Sequence, residues 1–383
     1  MDAFEKIRKE EFPLTQRCAY LDTPTTGLIS MNAMQAMVSY LNSRYVNAMD
    51  MAAYFDAWEF ADRTRTPVAR MIGADPDEIF FSGSGSDMLN IFSSGIELPA
   101  GANVVTSGLS FPSTPQNWIN RVGKENVKIA APENGQVAAE DLFALVNEKT
   151  AVIALCMVEH ASGFRHDIET ISRFCQEHGI YLVLDMTQCM GAMKIDVGAT
   201  PVDFIVATAY KWLGCPFGIS IGYISKRVMD RVHPRFYGWS GNENRFDESD
   251  YRVTPAASAA RYETGGLNWT GLKAVEQAAN MYIKLGADSI QEYILGLTDY
   301  LYRKVDELNG ISLIGPFPRK NRSGIVYLKF PAEWNLTDAE LSNAGIRAYV
   351  VSLGLMRVGM HYFNNQSDID RLMNYFKDRK KRT

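Results

Sequence analysis

Apolar residues recur along the chain in short runs that predict a succession of buried strands between residues 78 and 224. Between these runs, apolar residues follow helical spacing, and two further helices are predicted ahead of the sheet, near 32–47 and 56–71. The runs lie at 78–82, 103–107, 127–130, 151–158 and 181–185, with two more inside 203–224. Strands that alternate with helices are typical of an α/β protein whose mostly parallel sheet is covered by helices on both faces.

The pattern changes after residue 224. A long polar segment rich in glycine and aromatic residues occupies 233–269, and long amphipathic helices and then short strands and helices follow it. A loop of this length is usually functional or part of an interface. These changes predict a large domain over residues 15–265 and a smaller α+β C-terminal domain over residues 266–383, with residues 1–14 packed nearby.

Composition and charge narrow the classes of partner. The chain has 383 residues, of which 46% are hydrophobic and 22% charged, as in an ordinary globular protein. A net charge of −5 with scattered Lys and Arg disfavours a nucleic-acid partner. No apolar run is long enough to span a bilayer, and the charged N-terminus does not resemble a signal peptide. We expect a cytoplasmic protein that binds neither nucleic acid nor membranes.

The five cysteines show no CxxC spacing and lie mostly in apolar segments. Thiols in such positions are usually reduced core residues, which fits a reducing compartment. We therefore expect neither disulfides nor a metal site.

Lys211 stands between Tyr210 and Trp212, at the hinge between two apolar strands within 203–224. Burial disfavours an ammonium ion and lowers its pKa. The resulting neutral amine is the nucleophile needed to form a Schiff base. The alternative is a lysine at a strand end that extends its ammonium group to the surface.

Other ionisable residues also follow predicted strands. His160 lies at the end of the run 151–158, and Asp185 ends the run 181–185. A Gly-Ser-Gly-Ser-Asp turn at 83–87 leads from a strand into a helix, where free backbone N–H groups can bind a phosphate. Because ligands bind at the carboxyl ends of parallel strands, we expect these groups and Lys211 to form one site.

These residues resemble those of the class V aminotransferase family, the pyridoxal-phosphate (PLP) enzymes of fold type I. The family includes cysteine desulfurases, isopenicillin-N-epimerase-like proteins, C–S lyases and kynureninase. The resemblance runs from YLDTPTTGL at residue 20 to RVGMHYFNNQSDIDRL, which ends at residue 372. It implies a mostly parallel seven-stranded sheet in a large domain, a smaller α+β C-terminal domain and PLP as the cofactor.

The resemblance also implies roles for the residues around the cofactor ring. The segment ATAYKWLGCPFG makes Lys211 the internal-aldimine lysine, and YLVLDMTQ places Asp185 at the pyridinium nitrogen and Gln188 at the phenolic oxygen. Phe111 matches the position that stacks on the ring. His160 matches a position where many relatives have an asparagine near the phenolic oxygen.

Further positions match the phosphate and carboxylate sites of the family. Ser84 and Gly85 match the backbone contacts of the phosphate turn, and Thr208 and Tyr210 match side chains that bind phosphate. Arg357 matches the arginine that binds the substrate carboxylate, for which its planar fork is suited. The catalytic set implied by the resemblance is Lys211, Asp185 and His160.

His160 in place of asparagine and Phe111 in place of the histidine frequent in relatives point towards the epimerase-like and lyase-like branch, and the chain departs from the family at two further places. Cysteine desulfurases carry a nucleophilic cysteine in a mobile C-terminal loop, whereas residues 320–357 contain no cysteine, which argues against persulfide chemistry. Gly266 in RYETGG stands where relatives often have a phosphate-binding threonine from the neighbouring subunit. Thr264 or a backbone amide could substitute. The RYETGG segment and the aromatic loop nonetheless imply a homodimer with shared active sites.

The sequence predicts an enzyme that acts on an α-amino acid by removing the Cα proton. Transamination is the favoured outcome because it needs only reprotonation and hydrolysis after that step. A C–S lyase that performs β-elimination, an amino-acid epimerase and a non-catalytic protein of the same fold are the alternatives. A dinucleotide-dependent oxidoreductase is disfavoured because the glycine spacing at 83–87 does not match G-x-G-x-x-G.

Overall fold

The computed structural model describes residues 3–249 and 251–382, so residues 1 and 383 of the predicted domain bounds lie outside it. Its strands are β1 (Ala19–Tyr20), β2 (Ile79–Ser82), β3 (Asn103–Ser107), β4 (Val127–Ala130), β5 (Thr150–Cys156), β6 (Tyr181–Asp185), β7 (Phe204–Thr208), β8 (Ser220–Ile224), β9 (Ser312–Leu313), β10 (Ile325–Lys329), β11 (Ile346–Arg347), β12 (Tyr349–Ser352) and β13 (Leu355–Gly359). Its helices are α1 (Ala3–Glu11), α2 (Met31–Asn47), α3 (Met51–Ile72), α4 (Gly85–Gly95), α5 (Ser113–Val122), α6 (Ala139–Phe143), α7 (Ile168–His178), α8 (Lys226–Met229), α9 (Trp269–Leu285), α10 (Ala287–Asp306), α11 (Asp338–Asn343) and α12 (Gln366–Arg382).

The seven strands β2 to β8 form one sheet in the order β2-β8-β7-β6-β5-β3-β4. Strand β8 runs antiparallel to both of its neighbours, and the other pairs are parallel. The connection from β7 to β8 is too short to hold a crossover helix, so the chain must turn back. The prediction of a mostly parallel seven-stranded α/β sheet is confirmed.

Alternate residues of the central strands enter two different apolar clusters. Leu182 and Leu184 of β6 belong to the cluster that also contains residues of α7 and α9, while Val183 belongs to the cluster with residues of α4 and α5. Side chains of a strand point alternately to the two faces of its sheet. Both faces are therefore covered, which explains why these strands read as continuous apolar runs.

Helix α3 begins earlier than the predicted helix at 56–71. Asp50 caps it, since its carboxylate accepts a hydrogen bond from the N–H of Ala53 at 2.9 Å. The helix ends at Gly73, whose φ of 71° lies in the left-handed region that glycine adopts without strain. The predicted start was wrong because residues 51–55 are all apolar, so that the first turn shows no helical alternation of apolar and polar positions.

The C-terminal part builds a four-stranded antiparallel sheet in the order β12-β13-β10-β9. Ala19 and Leu21 pack into its apolar cluster together with residues of α10 and α12. Leu21 also accepts a hydrogen bond from the N–H of Gly359 at 2.8 Å, which places the segment after β1 beside the end of β13. The predicted domain bounds, 15–265 and 266–383, stay a prediction.

None of the described helices is long and apolar enough to cross a membrane. Across residues 3–249 and 251–382, no group of three or more His, Cys, Asp or Glu side chains could hold a metal ion.

Candidate active site

A cavity of about 240 Å³ opens where β5, β6 and β7 end and α4 begins. Asp185 closes β6, Lys211 follows β7, and His160 follows β5, so the topology alone brings them to one sheet edge. The cavity is lined by all predicted site residues except Arg357, namely Ser84, Gly85, Phe111, His160, Asp185, Gln188, Thr208, Tyr210 and Lys211.

Lys211 presents its ammonium group to two aromatic rings. Its Nζ lies 5.7 Å from the ring centroid of Phe111 and 5.7 Å from that of Tyr210. Burial lowers the pKa of Lys211, and the charge of Arg357 lowers it further, whereas the nearby Asp185 carboxylate opposes this shift. The amine is thus biased towards the neutral form that a nucleophile or base requires.

Asp185 is a buried carboxylate without a cationic hydrogen-bond partner among the described residues. Its Oδ1 accepts a hydrogen bond from the N–H of Thr187 at 2.8 Å. Burial raises the pKa of Asp185, although Thr187 and the charge of Lys211 pull it down. A protonated pyridine nitrogen would supply the missing partner, so this carboxylate fits PLP.

The surroundings of His160 disfavour its charged form. Burial lowers its pKa, and the adjacent Glu159 partly opposes that shift. Its ring stands at 81° to the ring of Phe111, with 5.2 Å between centroids. The Nδ1 atom is buried and has no hydrogen-bond partner among the described residues, which leaves a polar atom for a ligand to satisfy.

The turn before α4 offers a place for a phosphate. Ser84 is the N-cap, and its Oγ accepts a hydrogen bond from the N–H of Asp87 at 3.1 Å. A Cβ on Gly85 would lie 3.1 Å from Cγ2 of Thr208, so glycine keeps this space open. The Oγ1 of Thr208 is buried and unpartnered within the described chain. This cradle and its orphaned hydroxyl fit the phosphate of PLP.

Gln188 is held from two sides. Its Nε2 donates to the carbonyl oxygen of Pro24 at 3.1 Å, and its Oε1 accepts from Nε1 of Trp212 at 3.0 Å. Sequence reasoning missed Trp212 and Thr187 as site residues. Only their positions could have drawn attention to them, because Trp212 follows Lys211 and Thr187 lies between Asp185 and Gln188.

Arg357 lies on β13, outside the lining of the cavity. Its Nη2 donates to Oγ1 of Thr25 at 2.6 Å and lies 3.4 Å from Oδ1 of Asp22, while its buried Nε has no partner in the described chain. The charge of Arg357 nevertheless lowers the pKa of both Lys211 and His160, so it acts on the same site. Sequence reasoning missed Asp22, although it directly precedes the TPTTG segment.

All five cysteines are free and buried. Cys156 lines the cavity, but burial raises its pKa well above the ordinary value for a thiol, and the charge of Asp185 adds to this shift. Its Sγ accepts a hydrogen bond from the N–H of Phe111 at 3.3 Å. None of these thiols is poised as an exposed thiolate nucleophile.

Residues 19–372 match the description "Aminotransferase class-V". The chain belongs to the class V aminotransferase family. This match confirms the predicted family and the prediction of a PLP-dependent enzyme.

Individual proteins share only about a quarter or less of their residues with this chain. The chain is 24% identical to a probable cysteine desulfurase of Borreliella burgdorferi over 96% of this chain and 94% of the relative. It is 25% identical to the uncharacterized aminotransferase YcbU of Bacillus subtilis over 77% of each chain. The cystine C–S lyase C-DES, solved with its product cysteine persulfide, shares the fold with a TM-score of 0.86 at 17% identity, over 95% of this chain and 98% of C-DES.

Proposed function

We propose that this class V family member is a PLP enzyme that removes the Cα proton of an α-amino acid, with transamination as the outcome. The observation that carries the proposal is the shared cavity of Lys211 and Asp185, where a lysine with a lowered pKa lies near an unpaired buried carboxylate. PLP, when bound, withdraws electrons from the substrate and thereby acidifies the Cα–H bond.

In this proposal Lys211 would hold the cofactor and, when its amine is free, would accept the Cα proton of the substrate at Nζ. Asp185 keeps the pyridine nitrogen protonated, because a buried carboxylate favours a cationic partner. Phe111 and His160, which contact each other edge-to-face, would hold the ring, and the unpartnered Nδ1 of His160 would be available to hydrogen-bond with it.

The N-terminus of α4, with Ser84 and Gly85, binds the phosphate together with Thr208 and Tyr210. The free N–H groups at this helix end and the orphaned hydroxyl of Thr208 support this assignment. Tyr210 stacks on Phe217, with 4.3 Å between ring centroids, which fixes the Tyr210 ring beside the cavity.

Arg357 binds the substrate carboxylate. Its unpartnered Nε and its Nη2 form the side of the guanidinium fork that a carboxylate can engage with two parallel hydrogen bonds. The charge of Arg357 lowers the pKa of Lys211, which supports a role for this guanidinium near the cavity.

A second candidate function is β-elimination at a C–S bond. It begins with the same proton transfer to Lys211 and differs only in the loss of the group on Cβ. The likeness of the fold to the C–S lyase C-DES favours it, and the burial of every cysteine disfavours the persulfide route of the desulfurases.

The enzyme is proposed to work as a homodimer. A second cavity of about 870 Å³ adjoins the first through Gly83 and Gly218, and residues 262–268, which include most of the RYETGG segment, line it. The buried Glu263 anchors this segment through a 2.7 Å ion pair with Arg65. A second copy would cover the exposed rings near this cavity. The cytoplasmic location stays a prediction.

The proposal is tested by recording absorbance spectra of the purified PLP-loaded protein during a screen of amino acids. Transamination predicts loss of the lysine-bound cofactor band and build-up of pyridoxamine phosphate. Pyruvate with sulfide or a thiol would establish elimination instead. Lys211→Ala is the control. The proposal would be refuted if borohydride still attached PLP to this variant, or if no amino acid changed the spectrum of the unaltered protein.

A further inference from the structure

We propose that Trp212 is a positioning residue that fixes the side-chain amide of Gln188, so that its NH₂ group keeps an N–H available for the cofactor. The inference rests on the proposed function, in which Gln188 lies at the ring oxygen of PLP. It concerns a residue that does not line the cavity itself.

The indole of Trp212 decides which way round the Gln188 amide lies. An indole N–H is a donor only, so the atom 3.0 Å away must be the acceptor Oε1. The other contact agrees, because the carbonyl oxygen of Pro24 is an acceptor only and lies 3.1 Å from Nε2. A flipped amide would place its NH₂ group against the indole N–H and its oxygen against the Pro24 carbonyl. Neither pair can form a hydrogen bond, which is costly in a buried site.

This orientation leaves one N–H donor of Gln188 for a ligand. The NH₂ group has two hydrogens, and the contact with Pro24 uses one of them. Since Gln188 lines the cavity, its second N–H is the group that remains to meet a bound molecule there. An anionic oxygen satisfies that donor, whereas another donor does not.

Trp212 is itself held in place from the C-terminal part of the chain. Its carbonyl oxygen accepts a hydrogen bond from Nε2 of His361 at 2.9 Å, and the two rings stack at 23°. A Cβ on Gly324 would lie 2.7 Å from the indole, so the ring is enclosed on that side too. The indole therefore cannot turn away from Gln188 without disturbing packed neighbours.

Pro24 is held just as firmly to the lysine segment. The N–H of Gly27 donates to the carbonyl oxygen of Tyr210 at 2.9 Å, which ties the loop after β1 to the residue before Lys211. Both partners of the Gln188 amide are thus connected to the segment that carries Lys211, Trp212 directly and Pro24 through Gly27. The N–H donor of Gln188 therefore keeps a fixed position relative to the Lys211 amine.

An N–H donated to the ring oxygen makes that oxygen less basic, so the lysine-bound cofactor changes its absorbance at a lower pH. Trp212→Phe keeps an aromatic ring but removes the N–H that orients Gln188. We expect the midpoint of the pH titration of the bound cofactor to rise by roughly 0.5–1 pH unit, the equivalent of one ordinary hydrogen bond.

The experiment compares four holoenzymes by absorbance between pH 5 and pH 10: the unaltered protein, Trp212→Phe, Gln188→Ala and the double variant. Trp118→Phe is the matched control, because its indole is buried but its Nε1 has no partner among the described residues. If Trp212 acts through Gln188, the double variant titrates like Gln188→Ala alone, and Trp118→Phe titrates like the unaltered protein.

A midpoint of Trp212→Phe that equals that of the unaltered protein would overturn the inference, and so would shifts that add in the double variant. Trp212→Met provides the same test if the phenylalanine variant does not fold, since methionine fills irregular space. Failure of the proposed function has a different signature, because the unaltered protein would then show no cofactor band that depends on Lys211.

Discussion

Arg357 combines two features that rarely persist together in a buried cation: one unpartnered N–H and a carboxylate that it contacts only weakly. Asp22 approaches Nη2 at 3.4 Å, and Thr25 lies between them, since its hydroxyl donates to Asp22 at 2.8 Å and accepts from Arg357. A substrate carboxylate on the same fork must tolerate the negative charge of Asp22. Burial raises the pKa of Asp22, so proton uptake by this carboxylate can remove its repulsion of the substrate carboxylate.

We therefore predict that Asp22→Asn lowers the KM for the amino-acid substrate about threefold at pH 8, the scale of one partly exposed charge pair. In the unaltered enzyme KM should fall as the pH drops through the pKa of Asp22, because the protonated form no longer repels the substrate, and the variant should lose this dependence. Arg357→Lys is the control for carboxylate binding. An unchanged or raised KM in Asp22→Asn would contradict the prediction.

We expect the buried His361 to make the unfolding free energy of the protein sensitive to acid. Burial lowers its pKa from 6.5 to about 4, although its hydrogen bond to the Trp212 carbonyl opposes the shift. The unfolded chain therefore binds the proton more readily, and the stabilisation present above pH 6.5 is lost as the pH falls towards 4. We expect about 2 kcal/mol of the unfolding free energy to be lost between pH 7 and pH 5 through this group.

Urea unfolding of His361→Gln at the two pH values measures this contribution, because the variant should lack that part of the pH dependence. The exposed His178→Gln serves as the control. If His361→Gln and the unaltered protein lose the same stability on acidification, the buried imidazole is not the cause.

At the scale of elements, the loop after β1 is pressed against the lysine segment. A Cβ on Gly27 would lie 1.8 Å from the carbonyl oxygen of Lys211, and the backbone of Gly27 does not need a positive φ. Close approach alone thus requires glycine here. We predict that Gly27→Ala displaces this loop and the Lys211 backbone, weakens PLP binding at least tenfold and lowers Tm by several degrees, as overpacking of about 1–3 kcal/mol implies.

Gly296→Ala is the matched control for that variant, since nothing lies within 4 Å of its added Cβ on α10. Fluorescence titration with PLP and thermal unfolding measure the two effects. Unchanged PLP affinity and Tm in Gly27→Ala would contradict the prediction, because they would show that the loop can accommodate the added Cβ.

The elements and the site differ in how far the sequence predicts them. Strands such as β6 were predicted because both of their faces are buried, so that a continuous apolar run marks them. Asp185 and Lys211 could be predicted because topology brings strand ends together. Trp212 and Asp22 could not, since their roles arise from contacts with Gln188 and Arg357 that no local pattern records.

At the scale of the whole molecule, the surface near the RYETGG segment carries exposed aromatic side chains. Phe236, 73% exposed, lines the larger cavity beside the active site, and Tyr251 is 92% exposed in the same polar segment. Apolar groups that rim a cavity mark surfaces for partners. In a symmetric dimer this patch would meet the same surface or its neighbour on the second copy.

We predict that the protein has a mass of about 86 kDa by light scattering, twice the 42.9 kDa of the chain. Phe236→Asp should shift it towards the monomer and weaken PLP binding severalfold, because a buried charge opposes association and the RYETGG segment would lose its place at the second site. Leu353→Asp is the control, since this residue is 69% exposed at the turn between β12 and β13. A monomeric mass for the unaltered holoenzyme would contradict the shared site. A dimer that Phe236→Asp leaves intact, with unchanged PLP affinity, would place the interface elsewhere on the molecule.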